Sequence, residues 1–206
     1  YELIVDGVSE IASRGGVYYG SGVVKRLGRP VAVVTRLHPR DFSRLQKLKD
    51  EGVEVYPIAA EDTSGIANYY RSEDMERRIC KPIGFGGKYS LQQIPDLPTK
   101  FILLSPLFAA EVDLPLLQQW AQLAPVGLDV QGFIRVPVAD GLEFEPWKQM
   151  EEGLRSVTYL KVDRAEAEFL TGEADLAKAA ARLHSLGPKE IVMPASSGVT
   201  VSCDGS

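Results

Sequence analysis

Histidine and cysteine are nearly absent: two of each stand among 206 residues. Cys80 and Cys203 lie far apart and share no metal-like spacing, so they read as free thiols of a reducing compartment. Neither His38 nor His184 has Cys, Asp or Glu at ligand spacing together with a second histidine, so no metal held by direct protein ligands is expected. A basic excess is missing too. With 23 Lys and Arg against 28 Asp and Glu the net charge is −5, which argues against recognition of nucleic acid through its phosphate backbone. Small anions remain admissible, because a nest of backbone N–H groups binds them whatever the net charge. No apolar run approaches the ~20 residues of a bilayer span, and no signal peptide opens the chain; a cytoplasmic protein without membrane contact is the expectation.

What is present is an ordinary globular composition, 45% hydrophobic and 25% charged, enough for one α/β domain over residues 1–206 with a full core. Strand and helix patterns alternate. "YELIV" reads as a buried strand, "GVYYGSGVVKRLG" as a helix closed by Gly28, "RPVAVVTRL" as a β-branched strand and "PRDFSRLQKLKDEG" as an amphipathic helix. That order predicts a parallel sheet covered on both faces. From "VEVYPIAA" to "RRICKPIG" the rhythm changes to three strand-like segments without helical periodicity, which predicts an antiparallel flap over 53–83. The alternation then resumes to "EIVMPA" and "VTVS".

Glycine is dense in "SRGGVYYGSG", residues 13–22. Each glycine in a helix interior costs about 1 kcal/mol relative to alanine. Two compensations are available: a backbone that approaches a ligand at Gly15 and Gly16, or close packing of helix on sheet, the preferred reading for Gly20 and Gly22. "IGFGGKY" imitates a phosphate-binding loop, but Pro82 stands where its first glycine should be and Tyr89 replaces Ser or Thr, so it reads as a surface loop.

The order of several segments resembles the ribokinase-like, or PfkB, carbohydrate kinases. The resemblance is carried by Gly15–Gly16 opening a helix that ends in "RLG", by "DEGVEVYPI", by "LDVQGFIR" at 128–135, by "YLKVDRAEAEFLTG" at 159–172 and by "LHSLGPKEIVMPASSGVTVSCDG". It implies a three-layer α/β/α fold with a mostly parallel central sheet and a small antiparallel β lid at 53–83. Val55, Ile58, Ile66, Ile79 and Ile83 would give that lid an apolar face for a second copy, hence a homodimer.

The resemblance also implies a function: ATP-dependent phosphorylation, with Mg, of a hydroxyl on a small sugar, inositol or nucleoside. The family's early acid maps to Asp6, for which a surface turn is the competing reading, and the paired glycines to substrate contacts at Gly15 and Gly16. Asp129 and Arg135 map to strand ends facing the crevice, where open α/β sheets bind ligands; for Arg135 a surface ion pair is the alternative. Asp163 and Glu166 map to the Mg–phosphate assembly, although D-x-x-E is equally a helix capping box. Gly198 maps beside the nucleotide, the one match of "MPASSG" to the family's T-x-G-x-x-G. The family's G-A-G-D segment, with its catalytic aspartate, does not occur in these residues; the base is expected beyond Ser206, and the chain without it to be inactive. A non-catalytic metabolite sensor is the rival reading, favoured by Gly20, Asp163 and Met193 where the family pattern differs.

Overall fold

Aspartate followed by glycine favours a two-residue hairpin, because both central positions of that turn need a positive φ. Asp6 and Gly7 have φ of 47° and 82° and turn β1 (Glu2–Val5) back into β2 (Val8–Ile11). The computed structural model describes residues 2–11, 15–71, 73–195 and 198–203. Ser13 and Arg14 of the glycine-rich stretch, Ser196 and Ser197 of "MPASSG" and the final "DGS" lie outside the described residues.

The chain divides into two compact units, Tyr1–Pro95 with Val136–Glu143, and Asp96–Arg135 with Phe144–Ser206. In the first unit β1 pairs in parallel with β5 (Gly65–Arg71), which pairs antiparallel with β6 (Asp74–Gly84). The result is a four-stranded sheet ordered β2-β1-β5-β6. "YELIV" therefore belongs to this sheet and not to the parallel layer expected for it. An apolar run that short identifies a strand without naming its partner.

The span 53–83 divides as well. Its first strand, β4 (Glu54–Ala59), pairs in parallel with β3 (Ala32–Leu37) along their whole length. Helix α1 (Gly16–Arg26) and helix α2 (Gln46–Asp50), the latter preceded by a 3₁₀ turn Pro39–Leu45, belong to this part of the unit. Its core is Val33, Leu37, Leu45, Leu48 and Val53, flanked by Tyr18, Phe42 and Val55. Of the five residues expected on an apolar lid face, Val55 and Ile58 thus sit in β4 and Ile66 is buried, while Ile79 and Ile83 are exposed on β6.

The second unit is built on a five-stranded sheet ordered β13-β12-β11-β8-β7. Its strands are β7 (Ile102–Leu104), β8 (Val126–Asp129), β11 (Tyr159–Lys161), β12 (Glu190–Ala195) and β13 (Gly198–Cys203). The first four are parallel and β13 returns antiparallel to β12. Between them along the chain come α3 (Leu114–Leu123), α4 (Gln131–Ile134), α5 (Met150–Leu154), α6 (Arg164–Thr171) and α7 (Leu176–His184), and also the strands β9 (Arg135–Val138) and β10 (Gly141–Phe144), of which Val136–Glu143 belong to the first unit.

The chain steps through β7, β8, β11 and β12 in one direction, so right-handed crossovers put the connecting helices on one face. The alternate residues Leu104, Val126, Leu128, Leu160, Ile191 and Met193 are buried on a common side of the sheet. Phe101, Leu103 and Tyr159, of the opposite parity, are exposed. Among the described residues no helix is long and apolar enough to cross a membrane.

Candidate functional site

Parallel strands of one direction end together, and loops from several of them meet at that edge. In the second unit the register pairs Asp129, last residue of β8, with Lys161, last residue of β11. The Lys161 Nζ lies 3.2 Å from Asp129 Oδ1 and 3.9 Å from Glu166 Oε2. Arg135 approaches from the start of β9, its Nη2 4.0 Å from Glu166 Oε1. Its side chain is only 16% exposed, so it is a partner of the cluster and not a surface ion pair. The structure therefore brings together Asp129, Arg135, Asp163 and Glu166, four residues that the sequence places up to 37 positions apart.

Lys161 is the member that the sequence reading passes over. The available signal was a lysine ending a strand, two positions before the aspartate that caps a helix.

Glu166 does two things at once. The Asp163 Oδ1 accepts from the Glu166 backbone N–H at 2.8 Å, and Glu166 Oε2 accepts from the Asp163 N–H at 2.8 Å, a complete capping box on α6. The capping reading of D-x-x-E is thus realised, and it occupies Asp163. It leaves Glu166 Oε1 over. Among the described residues this is the single buried side-chain oxygen or nitrogen with no hydrogen-bond partner. Buried polar atoms are almost always satisfied, so this oxygen, at the mouth of a parallel sheet, has capacity to accept from a further donor. Burial pushes the Glu166 carboxyl above its ordinary pKa, opposed by the Asp163 N–H and by the Lys161 charge and reinforced by Asp163 and Asp129.

Magnesium is the ion that the resemblance implies, and the donor set can be tested against it. Among the described residues no three His, Cys, Asp or Glu side chains converge as a metal-binding group, and Asp129 is engaged by Lys161. Direct multi-carboxylate ligation does not fit. A hydrated ion reached through water from Glu166 Oε1 does, since magnesium keeps much of its water shell.

The remaining sequence assignments fall elsewhere. Gly15 is the N-cap of α1 with φ 137° and ψ −179°, and no side chain caps that helix. The N–H groups of Tyr18 and Tyr19 bond to the Gly15 carbonyl, leaving the earlier first-turn N–H groups at Gly16 and Val17 without helical partners. A Cβ at Gly22 would meet nothing within 4 Å, so close packing does not explain that glycine. Asp6 stands at a hairpin tip and not at the end of a strand in the parallel sheet, which corrects its mapping to the family's early acid. Gly198, with φ 146°, faces Ala195 where β12 and β13 meet, and its backbone geometry accounts for it. His38 Nδ1 accepts from the Arg40 N–H, and His184 links the Pro188 carbonyl to Ser202 Oγ, so both histidines have structural work. In the decoy loop the Gly86 N–H donates to Ser64 Oγ and the Arg36 N–H to the Tyr89 hydroxyl.

No curated protein sequence matches the chain. A pyrophosphate-dependent kinase of the ribokinase family, solved with sulfate, is 32% identical with a TM-score of 0.92, over 100% of this chain and 73% of its own. Another structure, of a pyrophosphate-dependent kinase in the same family complexed with a pyrophosphate analog and myo-inositol, is 30% identical with a TM-score of 0.89, over 100% and 72%. Arabidopsis thaliana ribokinase with ribose and ATP shares the fold at 20% identity and a TM-score of 0.66, over 100% and 72%. The three-layer α/β fold of these kinases is the fold of this chain. The family model for pfkB family carbohydrate kinases matches residues 21–200, and the chain belongs to that family.

Proposed function

We propose that this protein transfers the terminal phosphoryl group of pyrophosphate to a hydroxyl of an inositol-type polyol, with magnesium. The observation that carries the reading is the likeness, at 30–32% identity over 100% of this chain and 72–73% of theirs, to kinases described as pyrophosphate-dependent, one of them bound to myo-inositol. A second observation favours pyrophosphate over the ATP expected from the sequence. "MPASSG" keeps only Gly198 of the family's nucleotide-side pattern, and a donor without a base needs no such loop.

In the proposed reaction the acceptor oxygen forms a bond to the terminal phosphorus, the bridging P–O bond breaks, orthophosphate leaves and the hydroxyl proton passes to a base. No residue of 1–206 is assigned as that base. Within the first unit, the first-turn N–H groups of α1 at Gly16 and Val17 are suited to a polyol oxygen, favoured by the positive end of the helix. Lys161, at the end of β11, and Arg135, at the start of β9, hold the Glu166 carboxylate between two cations, where its Oε1 would hold magnesium through a bound water. The bound ion supplies neutralisation of charge on the transferred phosphoryl oxygens.

The test is phosphorus NMR of the complete natural chain with magnesium, myo-inositol, other polyols, sugars and nucleosides, each with pyrophosphate or ATP. Inositol phosphate with equal orthophosphate from pyrophosphate supports the reading. Transfer from ATP alone reassigns the donor; tight polyol binding with no transfer from either donor turns the protein into a metabolite-binding relative.

A further inference from the structure

We infer that Phe144 is a positioning residue for Glu166, an inference that rests on the phosphoryl-transfer role proposed above. Glu166 and Phe169 are three residues apart on α6 and so share a helix face. Two residues at the open end of the β9–β10 segment meet that face. Arg135, which begins β9, stands 4.0 Å from Glu166 Oε1, and Phe144, which ends β10, places its ring 5.3 Å from that of Phe169 at an interplanar angle of 55°.

The two anchors are themselves fixed to their surroundings. The Arg135 carbonyl accepts from the Ala109 N–H at 2.8 Å, and the Glu145 N–H donates to the Ile134 carbonyl at 2.8 Å. At its far end α6 is tied to α7, where Arg182 Nη1 donates to the Thr171 carbonyl at 2.8 Å.

What these contacts must control is the roll of α6 about its axis. The capping box is internal to the first turn, so it travels with the helix and cannot set that roll. Glu166 Oε1 makes no hydrogen bond, so its aim rests on the Arg135 and Lys161 charges beside the carboxylate and on the helix that carries it. The Phe144–Phe169 ring contact is thus a fixture on the side of α6 that carries the carboxylate, beside the ion pairs to Glu166 and the buried packing of Ala167 and Thr171. The two rings are 36% and 39% exposed, so removing one disturbs the aim of Glu166 more than it unfolds the unit.

The test uses the complete natural chain with Phe144→Ala, Phe144→Tyr, Phe169→Ala and the double alanine variant. Steady-state kinetics with pyrophosphate and myo-inositol are run beside amide exchange of residues 164–171 and thermal melts. Phe144→Ala is expected to lower kcat about tenfold, as misplacement of a reacting assembly does, with KM for the polyol unchanged and faster exchange in α6. Phe144→Tyr should restore kcat, and the double variant should lose no more than either single one. Unchanged kcat in Phe144→Ala overturns the inference. So does a joint fall of kcat, polyol affinity and melting temperature that tyrosine does not rescue. If Phe144→Ala does not fold, Phe169→Ala carries the same expectations. A wild type silent on every acceptor defeats the functional reading and this inference with it, and is told apart because the parent fails, not the variant.

Discussion

Lys161 and Asp129 end neighbouring parallel strands in direct register, with Nζ 3.2 Å from Oδ1. The same ammonium stands 3.9 Å from the buried Glu166 carboxylate, so a single lysine serves two acids from different elements. With side chains 37% and 19% exposed, the Lys161–Asp129 pair is screened by solvent. A double-mutant cycle of Lys161→Met and Asp129→Asn in urea unfolding should give a coupling of about 0.2–1 kcal/mol. A coupling of zero would show that the register, and not the charge, holds the two strand ends.

Gly15 occupies a backbone region, φ 137° and ψ −179°, that side-chain-bearing residues avoid. Gly15→Ala should cost about 1–3 kcal/mol of stability, measured by urea unfolding, although a Cβ there has no neighbour within 4 Å. Gly22→Ala in the same helix should be neutral or stabilising, because it meets open space at a helical position.

Much of this was readable in the chain, and what was not has physical causes. The D-x-x-E spacing before "AEFL" fixes a helix start, and Asp163 and Glu166 form that cap. Asp129 ends a parallel strand, as the resemblance implies, whereas Arg135 begins β9, outside the parallel sheet. The sheet to which a short strand belongs depends on distant partners, so "YELIV" and "VEVYPIA" were each given to the wrong neighbours. The β9–β10 segment within "RVPVADGLEF" escaped notice, and with it the contact of Phe144 with α6. The parallel β7–β12 order follows from the strand–helix alternation itself.

Gly132 illustrates a requirement of close approach. A Cβ on this residue of α4 would fall inside van der Waals contact of the Pro106 ring and carbonyl oxygen. Gly132→Ala should destabilise by about 1–3 kcal/mol through overpacking, read as a lowered urea midpoint with an unchanged slope.

Burial raises the Glu166 pKa, so the folded state holds this proton more tightly than the unfolded chain. Its contribution to stability is present below the ordinary glutamate range and is lost as pH rises through the raised value. Glu166→Gln keeps a capping-box partner for Asp163 while removing the titration. Between acidic and neutral pH its Tm should fall less than that of the wild type. Parallel Tm–pH profiles would contradict the assignment.

The most direct measurement is kcat of Glu166→Gln in the complete natural chain, at saturating pyrophosphate, myo-inositol and magnesium. A fall of at least tenfold, about 1.4 kcal/mol of transition-state stabilisation, is expected, with polyol affinity unmoved and folding intact because glutamine preserves the cap. Unchanged turnover would contradict it and leave Glu166 as half of a capping box.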